Sequence, residues 1–108
     1  MTFGEYQNAA AKTAVYPKDY GLGYTALGLA GEAGEVANKV KKIYRDNDGH
    51  ASLIDIDSIH KELGDCLWYI AAIATEIRAS LDDIAARNLA KLQKRMEDGT
   101  IKGSGDNR

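Results

Sequence analysis

Two long segments of this chain repeat their apolar residues in strict four- and three-residue steps, and this pattern constrains the fold more than any other feature. In the first, Leu22, Ala26, Leu29, Ala33, Val36, Val40 and Ile43 follow one another in that rhythm. In the second, Ile59, Leu63, Cys66, Ile70, Ile73 and Ile77 do the same. Such spacing is the period of an α-helix with one apolar stripe, whereas a half-buried strand alternates every second residue. No β-branched alternating run occurs anywhere, so the sequence predicts an all-α fold. At 108 residues the chain makes one domain, small enough that a partner surface would help it bury apolar area.

The remaining elements follow from caps and breakers. Thr2 and Glu5 form a T-x-x-E capping box that starts a first helix, and Pro17 ends it. The turn Lys18–Gly21 leads into a second helix predicted over Leu22 to Arg45. The stretch Asp46 to Asp57 reads as a loop, and Asp57 or Ser58 caps a third helix running to about Ala79. Ser80 and Asp83 open a fourth helix that Gly99 stops after Glu97. The expectation is a four-helix bundle-like domain over residues 1–98, followed by a glycine-rich tail over 99–108. By composition that tail reads as unstructured.

Within this frame the second helix carries an anomaly. Glycines recur at positions 28, 31 and 34 beside Glu32 and Glu35. A glycine inside a helix costs about 1 kcal/mol relative to alanine, so three require a reason, such as close approach by a ligand or a neighbouring helix. The third helix has an acidic pair of the same spacing, Glu62 and Asp65. At about 100° per residue both pairs lie beside their apolar stripes, offset in the same sense. A twofold axis across an antiparallel pair of helices brings such flanks to one side, whereas parallel packing separates them. Antiparallel packing therefore lets four carboxylates converge into a site for a hard divalent cation, which wants oxygen ligands. The competing reading is that each pair is a solvated helix face. A di-iron site fits poorly, because that chemistry uses E-x-x-H pairs and neither His50 nor His60 is so spaced.

Other side chains carry candidate roles. Asn88, Lys91 and Arg95 share a face of the fourth helix and read either as a phosphate clamp or as a solvated face near a helix C-terminus. Tyr69, one turn beyond Asp65, is the better candidate for substrate contact, while Trp68 reads as a packing or subunit-interface residue. Lys39 belongs to a basic cluster that is either solvated or reaches an anion. A net charge of −2 gives no electrostatic footprint for nucleic acid or an anionic membrane. No apolar run approaches the roughly 18 residues of a membrane span, and the N-terminus lacks the regions of a signal peptide. With Cys66 as the single cysteine no internal disulfide can form, which points to a reducing, cytoplasmic setting. Cys66 itself reads as a small buried apolar residue rather than a nucleophile.

The run LGLAGEAGEVANKVKK (Leu27 to Lys42) followed by ELGDCLWYI (Glu62 to Ile70) resembles the MazG-like nucleotide pyrophosphohydrolases of the all-α NTP pyrophosphatase superfamily. Their hallmark is E-x-x-E on one helix and E-x-x-D on the next. The likeness extends to Glu5–Pro17, to N-x-x-K-L-x-x-R over Asn88 to Arg95, and to Gly99–Arg108. It implies hydrolysis of a nucleoside or deoxynucleoside triphosphate to the monophosphate and pyrophosphate. It further implies that Mg²⁺, with Mn²⁺ as a substitute, is held by Glu32, Glu35, Glu62 and Asp65. By the same likeness Asn88, Lys91 and Arg95 hold phosphates, Tyr69 helps to form the nucleotide pocket, and the chain is a homodimer or homotetramer with shared sites. The arc Leu63, Leu67, Ala71 and Ala74 would serve that assembly. In mechanism, a water held in the acidic site attacks the α-phosphorus with Glu35 as candidate base, while Lys91 and Arg95 steady the departing pyrophosphate. Asp106 and Arg108 match a terminal G-D-N-R pattern of the family, so the tail either folds over nucleotide or a neighbouring subunit, or stays disordered without ligand. The alternatives are a phosphoribosyl-ATP pyrophosphatase and a non-catalytic helical protein that binds nucleotide or oligomerises.

Overall fold

The computed structural model describes residues 1–107; Arg108 lies outside the described residues. Four helices form and, among the described residues, no strand: α1 (Phe3–Ala11), α2 (Gly21–Asn47), α3 (Leu53–Glu76) and α4 (Leu81–Glu97), with a single 3-10 turn at Lys18–Tyr20. The all-α expectation is met.

Helix α1 starts as the sequence predicts, with Thr2 Oγ1 accepting from the Glu5 amide and the Glu5 carboxylate accepting from the Thr2 amide. It ends well before Pro17. Bonds from Lys12, Thr13 and Ala14 to carbonyls three residues back tighten the chain, and Tyr16, whose place before a proline disfavours helix, turns inward to Glu76. Helix α3 begins five or six residues earlier than expected, with Ser52 rather than Asp57 or Ser58 as its cap. Ser52 and Asp55 form a reciprocal capping box, so the predicted loop over 46–57 shrinks to Asp48–Ser52. Helix α3 also stops at Glu76 rather than near Ala79. Arg78 takes a left-handed conformation (φ 57°), and the Ala79 amide bonds back to the Ala74 carbonyl. Gly99 (φ 70°) closes α4 in the same manner, with Thr100 N–H donating to the Arg95 carbonyl.

The main packing is α2 on α3, with α1 laid over α3 and α4 packed chiefly on α1. Positions rising along α2 meet positions falling along α3: Gly21 lies against Glu76, Gly28 against Tyr69, and Lys39 against Glu62 and Ser58. Gln7 of α1 ties the α3–α4 junction. Its amide donates to Thr75 Oγ1 and the Ala79 carbonyl, and its carbonyl accepts from the Leu81 amide.

The core is thin. Among the described apolar residues only Ile43, Ala71, Ala72, Ala74 and Leu81 are buried. The stripe that the sequence predicts as the inner face of α3 is partly outward: Leu63, Ile70 and Ile77 are 54%, 38% and 55% exposed. On α2, Leu22 is exposed as well. The reason is geometric, because α1 covers the alanine side of α3 while α4 swings away from the α2–α3 pair. The radius of gyration is 16.7 Å, against about 13 Å for a compact chain of this length.

Candidate metal centre

The acidic residues sit where two long helices meet. Glu32 on α2 and Glu62 and Asp65 on α3 bring one carboxylate oxygen each to within 4.8 Å of one another. Glu32 and Glu62 are half-buried and Asp65 is exposed. Glu35 is exposed and stands outside this group, one turn along α2. It acts on the group through space. Burial first, then a hydrogen bond to Glu62 and the charges of Asp65, Glu62 and Glu35, push the Glu32 carboxyl above its ordinary value. Lys39 is ion-paired to Glu62 at 3.3 Å and donates to Ser58 Oγ, so the basic cluster of α2 contributes one counter-charge here. The donor set is all carboxylate and under-neutralised, which suits a hard divalent cation.

Aromatic side chains wall the cleft, which is lined by Thr13, Glu32, Asp65, Trp68 and Tyr69. The Tyr69 ring lies directly on α2, because residue 28 is glycine. A Cβ there would overlap the ring, with Tyr69 Cδ1 only 2.6 Å away. This accounts for one of the three glycines. A Cβ at Gly31 or Gly34 would meet open space, so close approach within this chain does not explain them. The Tyr69 phenol is pushed up by burial, then by Tyr24 and Glu32. Trp68, expected as a packing or interface residue, also lines the cleft and donates from Nε1 to Thr13 Oγ1 at 2.8 Å. It also meets Tyr69 and Tyr16 edge-on, with ring centroids 5.0 and 6.3 Å apart. Burial first, then the carboxylates of Glu32, Asp65 and Glu62, push the Cys66 thiol above its ordinary value, which disfavours the reactive thiolate.

The cationic residues of α4 do not join this cleft within one chain. Asn88 is exposed. Lys91 and Arg95 line a separate cleft with Lys94, Asp98, Asp106 and Asn107. Arg95, read from the sequence either as a phosphate ligand or as part of a solvated face, is buried because the tail folds back over it: its Nη2 donates to the Gly105 and Asp106 carbonyls at 3.3 and 3.4 Å. Asp106 also stands 3.5 Å from Lys91 Nζ and 3.6 Å from Arg95 Nη2. Over residues 99–107 the tail is thus seated on its own α4 rather than unstructured. Thr13, Tyr16 and Glu76 escaped the sequence reading, since only the fold brings the end of α1 and the far turn of α3 beside Trp68.

Fold and site define a class: a small all-helical protein built around an acidic cluster of hard-cation type. Residues 23–100 match the MazG nucleotide pyrophosphohydrolase domain, and the chain belongs to that family. It is also similar to "Gene 37 protein" of Mycobacterium phage L5, at 50% identity over 109 residues covering 95% of this chain and 96% of that one. No solved structure matches the chain. Among the described residues, no helix is long and apolar enough to cross a membrane.

Proposed function

We propose that this protein is a Mg²⁺-dependent nucleoside triphosphate pyrophosphohydrolase, converting an NTP or dNTP to the monophosphate and pyrophosphate. The observation that carries the reading is the convergence of Glu32, Glu62 and Asp65 in a chain of this family. These three would hold Mg²⁺ or Mn²⁺, and the ion when bound would neutralise charge on the triphosphate. Glu35, exposed beside the group, is our candidate to take a proton from the water that attacks the α-phosphorus as pyrophosphate leaves. Tyr69 and Trp68 would flank the nucleotide. Convergence of the carboxylates depends on antiparallel α2 and α3, which the falling sequence of contacts from Gly21–Glu76 to Lys39–Ser58 supports.

We further propose a homodimer or homotetramer, supported by the low compactness and by the exposed Leu63, Ile70 and Ile77. In such an assembly Asn88, Lys91 and Arg95 of one protomer would meet the triphosphate held by its neighbour, where the two cations steady the leaving pyrophosphate. The half-buried single Cys66 supports a cytoplasmic setting.

The test is pyrophosphate release from a panel of NTPs and dNTPs with Mg²⁺, repeated in EDTA. Alanine at Glu35 or at Asp65 should abolish turnover and leave helicity intact. Full activity in both variants would sink the carboxylate site.

A further inference from the structure

Next to the acidic cleft, on the other side of Trp68, a cavity of about 290 Å³ opens between α1 and α3. Its walls are small and apolar: Ala10, Ala11, Ala14, Ala71 and Ala72. The indole of Trp68 belongs to both spaces, so a ligand lying against it can reach from one into the other. Asp65, Trp68 and Glu76 succeed one another along α3, and at 1.5 Å rise per residue the carboxylates of the two ends are about 16 Å apart along the axis.

The polar groups of this cavity are nearly all spent. The Gln7 amide is saturated by Thr75, Ala79 and Leu81. Thr75 Oγ1 donates to the Ala71 carbonyl, and Trp68 Nε1 to Thr13. Glu76 is the exception. Its Oε1 accepts from the Tyr16 hydroxyl at 2.5 Å, while Oε2 has no hydrogen-bond partner among the described residues. The carboxylate lies flat over Gly21, where any Cβ would overlap it. Tyr16 is itself held between the Tyr24 ring, with centroids 5.2 Å apart, and the Lys18 ammonium, 3.5 Å from its centroid. Lys18 spends one donor on the Ala14 carbonyl and has others for a carbonyl at the cavity edge.

We propose that this cavity receives the nucleobase of the substrate and that Glu76 selects guanine. The proposal rests on the nucleotide reading above and names the base that reading left open. Oε1 keeps a second lone pair beside its Tyr16 bond and Oε2 is unpartnered among the described residues, so this fixed carboxylate can still accept from two adjacent N–H donors. Guanine presents N1–H and N2–H side by side, with O6 beside them for Lys18. Adenine and cytosine set a lone pair next to their amino group, and uracil and thymine flank their single N–H with carbonyls, so each turns an acceptor toward the carboxylate. The alanine walls leave room for a purine, and Trp68 offers it a ring edge or face. A site of this kind rejects substrates that leave its charged acceptor unpaired.

The experiment compares kcat/KM for dGTP, dITP, dATP and dCTP in the wild-type full chain and in Glu76→Gln, an isosteric change. Guanosine is titrated in parallel against Trp68 fluorescence, the only tryptophan. We expect dGTP to lead dATP by about a hundredfold, with dITP between them because it lacks the second donor. Glu76→Gln should bring dGTP and dATP to within a few-fold of one another, because one acceptor and one donor now face the base. Guanosine should quench the wild type and fail to quench the variant. If no triphosphate is hydrolysed but guanosine quenching depends on Glu76, the catalytic reading falls and the guanine site stands. Equal turnover of all four, or a dGTP preference unchanged in Glu76→Gln, overturns the proposal, as does guanosine quenching indifferent to Glu76.

Discussion

Gly28→Ala and Gly31→Ala are the same chemical change three residues apart on one helix, yet their effects on stability should differ in sign. Alanine is worth about 1 kcal/mol over glycine inside a helix. At Gly31 the new Cβ meets nothing within 4 Å, so that gain should appear in full. At Gly28 it meets the Tyr69 ring, and forcing an extra carbon into packed contact costs about 1–3 kcal/mol. The net for Gly28→Ala is then a loss of about 0–2 kcal/mol, which leaves the two variants about 1–3 kcal/mol apart. For a domain of this size each kcal/mol moves the melting temperature by roughly 4–8 °C. The assay is urea unfolding followed by far-UV circular dichroism at one fixed protomer concentration, since an oligomer's apparent stability depends on it. Tyr69→Ala removes the obstacle, so adding Gly28→Ala in that background should recover the stabilising sign. The reasoning fails if Gly28→Ala stabilises as much as Gly31→Ala, or if Tyr69→Ala does not rescue it.

Three further outcomes are expected. The Glu32 carboxyl is held above its ordinary value, so its contribution to stability is full below the unfolded pKa and is lost as pH rises through the raised folded value. Metal-free protein should therefore lose this component as pH rises above the ordinary carboxylate range. Glu32→Gln should lack it, and Mg²⁺ should raise the wild-type melting temperature most at the alkaline end. A larger Mg²⁺ shift at the acid end would contradict the site. Arg78 sits at φ 57° closing α3, so Arg78→Gly should stabilise by about 1 kcal/mol, read by the same urea titration. Ser52→Ala breaks the reciprocal cap of α3 and should cost about 1 kcal/mol; no change would place the start of α3 elsewhere.

Much of the architecture was legible because helices announce themselves locally. The four- and three-residue rhythm, the Thr2–Glu5 box and the Gly99 stop depend on neighbours in the chain, and all reappear in the structure. The start of α3 was equally local but was missed. Ser52 and Asp55 carry the same S-x-x-D spacing as Ser80 and Asp83, yet the turn-rich residues before them obscured it. The pairing of Glu32 with Glu62 and Asp65 could be anticipated because matched offsets on two helices are a matter of angle. Glu35 stands outside the group for the same reason: one more turn along a helix carries a side chain past the meeting point.

What the sequence determined by itself was the helical class, most of the caps, and the two acidic pairs on matched flanks. These follow from periodicity and from hydrogen bonds closed within a few residues. What only the tertiary structure decided was who meets whom across long separations. It set the Tyr69 ring on Gly28, buried Arg95 beneath the tail, and turned Leu63, Ile70 and Ile77 outward. It also brought Tyr16 to Glu76 beside Trp68, sixty residues apart in the chain. An apolar period says that a face will be covered, but only the packing angle and the small size of the alanines on α1 and α3 decide by what.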